Sequence, residues 1–427
     1  MSSMLSCISC GKMYSRRSQL RCKCGDLLEV KHSFHDVSAD MFDSRLGTSS
    51  RPYNSGVWRF KELINPSIEN QFIVSRPEGN TNLYEHKLLL EYSSLKQIAV
   101  KHEGENPTGS FKDRGMTVGM SEALASGAKI VACASTGNTS ASLAAYAAQA
   151  ELKCAVFIPE GNIAFGKLAQ AMAYGAKVLQ VKGNFDDAMR IVQEASRELG
   201  MYLLNSVNPW RIEGQKAIIF ELLQQRNWDP PDWIIVPAGN LGNTSAFGKA
   251  LRETKSLGLI DKVPKLASIQ AEGANPFYRL WKGEEKILDP MKPDTIASAI
   301  KIGNPVSWKK AIRSIKMTRG VVSQVNDQEI MEAKAIVDRC GIGCEPASAA
   351  SLAGAKKLVS EGVISRNENV VCILTGNLLK DPEVTVKYHM SQLEGITSGY
   401  ANKPKVLETD LDSVRKVLGI GVLGVEV

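Results

Sequence analysis

The fold of this chain is indicated first by a continuous stretch that reads Lys129-Ile-Val-Ala-Cys-Ala134, Ser135-Thr-Gly-Asn-Thr-Ser140 and Ala141-Ser-Leu-Ala-Ala-Tyr-Ala-Ala-Gln-Ala150. Its first segment is a short apolar run typical of a buried strand, and its last segment is rich in alanine, the strongest helix former. The segment between them carries glycine and the hydroxyl and amide residues that cap helices. The stretch therefore predicts a strand, a turn and a helix in succession.

The same alternation continues along the chain on both sides of this unit. Further strands are predicted at Gln97–Lys101, Ala155–Ile158, Lys177–Val181, Trp233–Val236, Leu266–Gln270 and Val370–Leu374. Further helices are predicted at Met116–Ala125, Lys167–Tyr174 and Asp186–Leu199. Near-continuous apolar strands between helices are typical of a parallel sheet that is covered on both faces. We therefore predict an α/β fold with open, mostly parallel sheets covered by helices.

The composition excludes several classes of protein. The chain has 427 residues, of which 44% are hydrophobic and 23% charged, so it is long enough for two or three domains. The net charge of +7 is spread along the chain, which favours anionic metabolites over nucleic acid. No apolar run suits a membrane span, and the N-terminus lacks the features of a signal peptide. Nine cysteines without a disulfide framework indicate a reducing compartment, so we expect a cytoplasmic protein.

Residues 1–30 are predicted to form a separate cysteine unit. Two short cysteine pairs, each followed by glycine, are separated by eleven residues; they are Cys7 and Cys10, then Cys22 and Cys24. Four thiolates at such spacings suit a tetrahedral Zn²⁺, which can close a fold too small to have its own core. The second pair has one intervening residue where a typical zinc ribbon has two. Four cysteines leave no open coordination position, so we expect any zinc here to be structural.

Three strands are followed by similar polar loops. Ser135–Ser140 follows the first strand, Pro237–Thr244 contains Gly239-Asn-Leu-Gly-Asn243 and follows another, and Thr375-Gly-Asn377 follows a third. A glycine-rich turn before a helix presents backbone N–H groups and the positive end of the helix to an anion. Because ligands bind at the carboxyl ends of strands in open α/β sheets, we expect these loops to share one site.

Lys112 is the candidate reactive residue of that site. It lies in a turn-forming segment that reads Asn106-Pro-Thr-Gly-Ser-Phe-Lys-Asp-Arg-Gly-Met116. A lysine that is partly desolvated has a lowered pKa and becomes a usable amine nucleophile. Nucleotide motifs are absent: there is no P-loop, and a Gly-x-Gly-x-x-Gly pattern at Gly419, Gly421 and Gly424 has no room for a following helix. A lysine with phosphate-binding loops and no nucleotide motif suggests pyridoxal phosphate as cofactor.

The motifs together resemble the threonine synthases of the fold-type-II pyridoxal-phosphate family, which is related to the tryptophan synthase β chain. The resemblance rests on Asn106–Met116, Ser135–Ser140, Gly239–Asn243 and Thr375–Asp381, with Ser55–Glu62 and Asn205–Gln215. It implies a homodimer with a large cofactor-binding domain of residues 31–115 and 205–427 and a smaller inserted domain of residues 116–204. It also implies formation of L-threonine and phosphate from O-phospho-L-homoserine, by γ-elimination of phosphate and β-addition of water.

The resemblance also implies a role for each matching residue. Lys112 would form the Schiff base with the cofactor and move protons. The remaining cofactor contacts would come from Asn138 at the ring hydroxyl, from Gly239, Asn240, Leu241, Gly242 and Asn243 at the phosphate, and from Thr375 at the ring nitrogen. The substrate's anionic groups would be held by Ser135, Thr136, Thr139, Asn205 and Arg211. One departure is Leu378, where relatives carry glycine.

Three other functions compete with this interpretation. A pyridoxal-phosphate-dependent threonine or serine dehydratase is the nearest, although its phosphate loop resembles a run of glycines and not Gly-Asn-Leu-Gly-Asn. A β-replacement enzyme of the cysteine synthase type is disfavoured by the Arg211 segment. A zinc-ribbon protein that binds nucleic acid would rest on residues 7–24 and on the charge of +7. We expect a small-molecule substrate, no nucleic acid and no membrane partner.

Overall fold

The computed structural model describes residues 2–16, 20–161 and 165–419, apart from the side chains of residues 165–167. Gly421 and Gly424 of the Gly-x-Gly-x-x-Gly pattern lie outside this part of the chain. Among the described helices, none is both long and apolar enough to cross a membrane.

Thirteen strands are found in the described residues, and they form three sheets. In chain order they are β1 (Ser3–Cys7), β2 (Met13–Tyr14), β3 (Leu28–His32), β4 (Leu83–Tyr84), β5 (Gln97–His102), β6 (Ile130–Ala134), β7 (Lys153–Pro159), β8 (Lys177–Val181), β9 (Tyr202–Leu203), β10 (Trp233–Pro237), β11 (Lys265–Ala271), β12 (Val321–Val325) and β13 (Asn369–Leu374).

Fifteen α-helices lie between or after these strands in the same residues. They are α1 (Ala39–Asp43), α2 (Lys61–Ile64), α3 (Lys87–Ser93), α4 (Lys112–Ala125), α5 (Asn138–Gln149), α6 (Phe165–Ala173), α7 (Phe185–Glu198), α8 (Pro209–Gln225), α9 (Gly242–Ser256), α10 (Pro276–Lys282), α11 (Trp308–Met317), α12 (Asp327–Arg339), α13 (Pro346–Ser360), α14 (Pro382–His389) and α15 (Leu411–Leu418).

Two of the sheets are the parallel sheets that the sequence predicts. The larger has the strand order β12-β11-β10-β13-β5-β4, in which only the β4–β5 pair is antiparallel, and the smaller has the order β8-β7-β6-β9. Alternate residues of β10 and β13 belong to apolar clusters on opposite faces of the larger sheet. Burial on both faces explains why these strands are almost continuously apolar. The α/β prediction is confirmed.

The smaller sheet is built from residues between 130 and 203, and the larger sheet from residues on either side of that segment. This arrangement has the form of an inserted unit. The division at residues 116 and 204 stays a prediction.

The third sheet belongs to the N-terminal cysteine unit. It is antiparallel, with the order β2-β1-β3. Strands β1 and β3 have only five residues each, and β2 has two. Cys7 ends β1, whereas Cys10, Cys22 and Cys24 lie in the connections between strands. We call residues 2–16 and 20–32 the ribbon.

Two helices begin earlier than the sequence predicts. Helix α4 begins at Lys112 and not at Met116, and α5 begins at Asn138 and not at Ala141. Neither helix has a side-chain cap, so the usual sequence signal for a helix start is missing in both cases. As a result, Lys112 and Asn138 are the first residues of their helices instead of members of a preceding turn.

Candidate active site

The lysine loop is held against the loop that follows β13. The backbone N–H of Phe111 donates to Thr375 O at 3.0 Å, and the N–H of Asn377 donates to Gly109 O at 2.9 Å. An isolated bridge pairs Ser110 with Gly376 between these two bonds. These contacts explain how Lys112 and Thr375, which are 263 positions apart in the sequence, come to line one site.

Lys112 itself is half-buried at the start of α4, with its Nζ 4.1 Å from the centroid of the Phe111 ring. Burial, together with the positive charge of Arg211, lowers the pKa of Lys112 to about 7, whereas the Glu345 carboxylate acts in the opposite direction. An amine with such a pKa is available in its neutral form near neutral pH. This is the property that a nucleophile or a proton carrier requires.

Arg211 reaches the site because α4 and α8 approach each other closely. Cβ atoms at Gly115 and Gly214 would lie 2.8 Å from Arg211 O and 1.8 Å from Arg114 O, so both positions require glycine. The buried Arg211 guanidinium donates through Nη1 to Leu204 O at 3.0 Å, while its Nε has no partner in the described structure. Burial lowers the pKa of Arg211 to about 10. No carboxylate among the described residues pairs with this cation, so it is ready for an anionic ligand.

The loop between β6 and α5 presents polar groups beside an uncapped helix. Helix α5 has Gly137 as its N-cap and no side-chain cap. The N–H of Ser140 donates to Gly137 O at 3.1 Å, which leaves the N–H groups of Asn138 and Thr139 available to a ligand. Ser135, Thr136 and Thr139 are half-buried around this helix end. Their placement is consistent with the predicted binding of an anionic substrate group.

Asn205 has a different environment from the one its predicted role suggests. Its Oδ1 accepts from the N–H of Ala134 at 3.0 Å, and its Nδ2 donates to the carbonyl of the same residue at 3.0 Å. The side chain therefore fixes the strand end from which the Ser135–Ser140 loop departs. A direct contact with substrate phosphate stays a prediction, and it would use the second hydrogen of Nδ2.

The loop between β10 and α9 has the form of a phosphate cradle. Leu241 is the N-cap of α9 with a left-handed φ of 65°, and no side chain caps this helix either. The first turn of α9 therefore directs unpaired N–H groups out of the helix end, and the buried Asn243 Oδ1 also has no partner in the described structure. Gly239 is tightly enclosed, because a Cβ there would lie 3.1 Å from the Cα of Ile300.

This cradle lies beside the other loops. A Cβ on Gly242 would be 3.1 Å from Gln215 Oε1 and 3.7 Å from Ile212 Cδ1, and both residues belong to the helix that carries Arg211. The backbone conformation, the free N–H groups and the nearby Lys112 fit a phosphorylated aldehyde cofactor such as pyridoxal phosphate.

Glu345 is the site residue that the sequence analysis missed. Its buried carboxylate accepts from Asn138 Nδ2 at 3.0 and 3.2 Å and lies 3.5 Å from Thr375 Oγ1, which also contacts Ser348 Oγ at 3.0 Å. Gly376 leaves the necessary space, since a Cβ there would be 2.6 Å from Glu345 Cδ. Burial raises the pKa of Glu345. The available signal was an acidic residue directly before Pro346, the first residue of an apolar helix.

The four ribbon cysteines form a separate cluster. Their sulfur atoms all lie within 4.8 Å of one another, with Cys7 and Cys24 3.5 Å apart and Cys10 and Cys22 3.6 Å apart. Four sulfurs around one zinc at about 2.3 Å would be about 3.8 Å apart. The backbone N–H groups of Ser9 and Cys10 also point to Cys7 Sγ at 3.5 Å each. The geometry therefore fits one tetrahedral metal ion.

Comparisons with known proteins agree with the cofactor that the sequence indicates. A family profile described as pyridoxal-phosphate dependent enzyme matches residues 74–376. A protein from Methanocaldococcus jannaschii named threonine synthase is 47% identical over 96% of this chain and 98% of its own length. One of the same name from Methanosarcina acetivorans is 45% identical over 97% of this chain and 98% of its own. The crystal structure of threonine synthase from Escherichia coli matches with a TM-score of 0.69 over 97% of this chain and 99% of its own; at 18% identity, this likeness shows the fold alone.

Proposed function

Since the chain belongs to the pyridoxal-phosphate-dependent enzymes and, within them, to the threonine synthases, we propose that it converts O-phospho-L-homoserine and water into L-threonine and phosphate. The observation that carries the choice of substrate is the buried Arg211 guanidinium, which lies next to Lys112 and has no carboxylate partner in the described structure. A substrate phosphate would supply the missing negative charge. A guanidinium can meet it with two parallel hydrogen bonds.

The cofactor would be held by residues from four elements. Lys112 would bind it covalently, the N–H groups of Gly239–Asn243 would hold its phosphate, and Asn138 and Thr375 would contact its ring. When bound, pyridoxal phosphate withdraws electrons from the carbon atoms of an attached amino acid. A neutral hydroxyl such as that of Thr375 does not hold the ring nitrogen protonated, which makes the ring a weaker electron sink.

Lys112 would then carry the protons of the reaction. With a pKa of about 7 its amine can take a proton from Cα and from Cβ of the substrate and return one to Cγ after phosphate has left. Water adds its oxygen at Cβ, and Cα regains a proton to complete L-threonine. Arg211 would hold the phosphate as its bond to Cγ breaks and its charge increases, which is where an added interaction accelerates the step.

The dehydratase alternative differs in the group that the site must hold. A dehydratase acts on threonine or serine, neither of which has a phosphate to neutralise Arg211. The buried Arg211 cation, which has no carboxylate partner in the described structure, is therefore better explained by a phosphorylated substrate. This argument concerns the substrate only, because both reactions would use the same cofactor and the same lysine.

The test is product analysis with O-phospho-L-homoserine, together with Arg211→Ala and the control Arg211→Lys. We expect release of threonine and phosphate in equal amounts by the unmodified enzyme. Loss of hydrogen bonds to a charged group should lower kcat/KM of Arg211→Ala by about 10- to 150-fold. Arg211→Lys should retain part of the activity, because lysine keeps the positive charge but cannot form the two parallel hydrogen bonds of a guanidinium. Production of 2-oxobutanoate from threonine, with no threonine from the phosphorylated substrate, would establish the dehydratase instead.

The ribbon is proposed to hold one structural zinc ion through Cys7, Cys10, Cys22 and Cys24. Support comes from the four converging sulfurs. Four cysteines would fill all positions of a tetrahedral zinc, which makes the proposed role structural. Elemental analysis of protein purified under reducing conditions, without chelator, should find about one zinc per chain. Replacing the four cysteines by serine should remove it, whereas Cys340→Ser, outside the ribbon, should not. A zinc content near zero in the unmodified protein would contradict this proposal.

The location and the assembly are proposed on other grounds. All nine cysteines are free thiols in the structure, which suits a reducing compartment such as the cytoplasm. A homodimer without nucleic-acid partners follows from the family resemblance, and light scattering on the purified protein would test the dimer.

A further inference from the structure

The ribbon packs against the back of the helical turn that carries Arg211. Three of the four residues Trp210, Arg211, Ile212 and Glu213 face the ribbon. The Arg16 guanidinium lies 5.0 Å from the centroid of the Trp210 ring, and His32 Nε2 lies 2.8 Å from Glu213 Oε2. Trp210 and Ile212 also share an apolar cluster with residues of β1 and β3. Arg211 points the other way, toward α4, where its Cγ would be 3.2 Å from a Cβ on Gly119.

Strand β3 of the ribbon also accepts hydrogen bonds from two buried lysines of the large sheet's helices. Lys310 donates to Leu28 O and Lys249 donates to Val30 O, both at 2.6 Å. Burial lowers the pKa of Lys310 to about 8. Moving β3 away would leave both ammonium groups without these acceptors, which is costly inside a protein. Because Lys249 lies on α9, the strand is tied to the helix that begins at the phosphate cradle as well as to α8.

A third attachment joins the ribbon to the helix that begins with Lys112. Arg16 Nε donates to both carboxylate oxygens of Glu122 on α4, at 3.1 and 3.2 Å, and Arg16 Nη2 donates to Asn65 Oδ1 at 2.7 Å. The ribbon therefore contacts α4, α8 and α9, which carry the reactive lysine, the phosphate-binding arginine and the cofactor cradle.

The residues that make these contacts lie close to the cysteines in the sequence. Arg16 is between the two cysteine pairs and two residues after Tyr14, whose hydroxyl is 3.0 Å from Cys22 Sγ; Leu28 is four residues after Cys24. A unit of this size with such short strands has little core of its own, and part of its apolar surface packs on α8. A metal would hold the loops between its strands, which carry Arg16. The bound metal would thus determine whether these contact residues are held in place.

We propose that the metal-held ribbon positions Arg211 for the phosphate of the substrate, so that metal occupancy controls selection of the phosphorylated substrate. The proposal rests on the proposed function and on the proposed zinc site, and it makes Trp210 and Glu213 positioning residues that act through Arg211. Its distinguishing consequence is a loss of phosphate binding, because the ribbon contacts Trp210 and Glu213 on either side of Arg211. Its contacts on α4 and α9 are farther from the site, with Glu122 ten residues from Lys112 and Lys249 six residues from Asn243. Cofactor absorption and any slow reaction with unphosphorylated amino acids should persist when the metal is lost.

The experiment compares holoenzyme with zinc to holoenzyme depleted of zinc by a chelator, with metal content and visible absorption recorded for both. KM for O-phospho-L-homoserine and the calorimetric affinity for inorganic phosphate are then measured. We expect KM to rise and phosphate affinity to fall by about 10-fold or more, as for the loss of one charged hydrogen bond. We also expect kcat to fall, because Arg211 would act as phosphate leaves. Cys340→Ser carried through the same treatment is the matched control and should behave like the unmodified protein.

Two variants decide whether the effect passes through Arg211. In Arg211→Ala, zinc removal should cause no further rise in KM, because effects that share one residue are not additive. His32→Gln keeps all four cysteines, so it should retain zinc but show a raised KM and weaker phosphate binding. The His32→Gln variant therefore tests the inference even if the zinc-depleted protein unfolds. The inference would be overturned if zinc removal raised KM by the same factor in Arg211→Ala as in the unmodified enzyme. An unchanged KM in His32→Gln would also overturn it. An enzyme that makes no threonine even with zinc would refute the proposed function instead.

Discussion

Helices α4 and α8 each contribute buried charged residues to two regions. The charges in one region are paired with opposite charges, whereas the Arg211 cation in the other region is not. At the site, Lys112 of α4 and Arg211 of α8 are neighbouring cations, and no carboxylate of the described residues pairs with Arg211. Arg114, in the same turn of α4 as Lys112, donates instead to Glu103 at 2.6 and 2.8 Å and to Glu221 of α8 at 2.8 Å. Lys101 from β5 completes this paired network with a 2.6 Å bond to Glu221.

The pKa values of Arg114 and Glu221 follow the same contrast, although burial still lowers the pKa of Lys101. Burial alone would lower the pKa of Arg114, but Glu103 and Glu221 outweigh burial and raise it. Burial alone would raise the pKa of Glu221, but Arg114 and Lys101 hold it well below its usual range. At the site, the pKa values of Lys112 and Arg211 are lowered instead. Because an unpaired buried charge is costly, the difference indicates where the chain provides its own counter-charge and where a ligand must bring it.

The largest effect is expected from Lys112→Ala. Loss of the amine should remove both the covalent link to the cofactor and the proton carrier. Threonine formation should therefore fall by about 10³-fold or more, within the range that general acid–base catalysis contributes. The visible absorption of the purified protein before and after borohydride reduction measures the link directly. Lys101→Met, which removes a buried lysine of the paired network, is the comparison and should keep that absorption. A borohydride-stable cofactor link in Lys112→Ala would assign the role to another lysine.

The next effect concerns stability and has opposite signs in the two regions. Glu221→Gln leaves Arg114 and Lys101 buried with less negative charge, which should lower the free energy of unfolding by about 3–5 kcal/mol. Arg211→Met removes a buried cation without a carboxylate partner, so in protein free of substrate it should leave stability unchanged or raise it. Urea unfolding of both variants under identical conditions checks the pair. If both substitutions destabilise the protein equally, the distinction between paired and unpaired charge is wrong.

The two regions also differ in how far sequence could predict them. Seven of the thirteen described strands, all of them in the two parallel sheets, follow from local patterns, as do the polar loops, and the motif around Lys112 pointed to the site. The short edge strands β4 and β9, the edge strand β12 and the ribbon strands were not predicted. The network of Lys101, Glu103, Arg114 and Glu221 was not predicted, because its members come from β5, the turn after it, α4 and α8 and meet only through packing. Glu345 was missed for the same reason. Its carboxylate fits beside Gly376 only because glycine has no side chain, and no local sequence pattern indicates this contact.

The helix starts show a second limit of prediction. Capping residues are the usual signal, but the backbone of the lysine loop is held by hydrogen bonds to Gly376's neighbours Thr375 and Asn377, which are remote in sequence. The same kind of remote partner occupies Asn205, whose amide is bonded to the backbone of Ala134. Family resemblance supplied residue identities, whereas these contacts decide what each side chain is free to bind.

The smallest effect, and the one that most directly measures the unpaired charge at the site, is the pH dependence of cofactor capture by the apoprotein. Only the free amine of Lys112 can attack the aldehyde, so capture should be slow below its pKa of about 7 and reach a plateau above it. The Glu345 anion favours the ammonium form and the Arg211 cation opposes it. Glu345→Gln should therefore move the midpoint of capture to lower pH, and Arg211→Met should move it to higher pH. Each shift should be about one pH unit, the low end of what one neighbouring charge produces.

Stopped-flow absorbance after mixing apoprotein with pyridoxal phosphate measures the midpoint, and Lys101→Met should leave it unchanged. Shifts of the same sign in the two site variants would mean that the charges around Lys112 do not set its pKa in the way the site geometry requires.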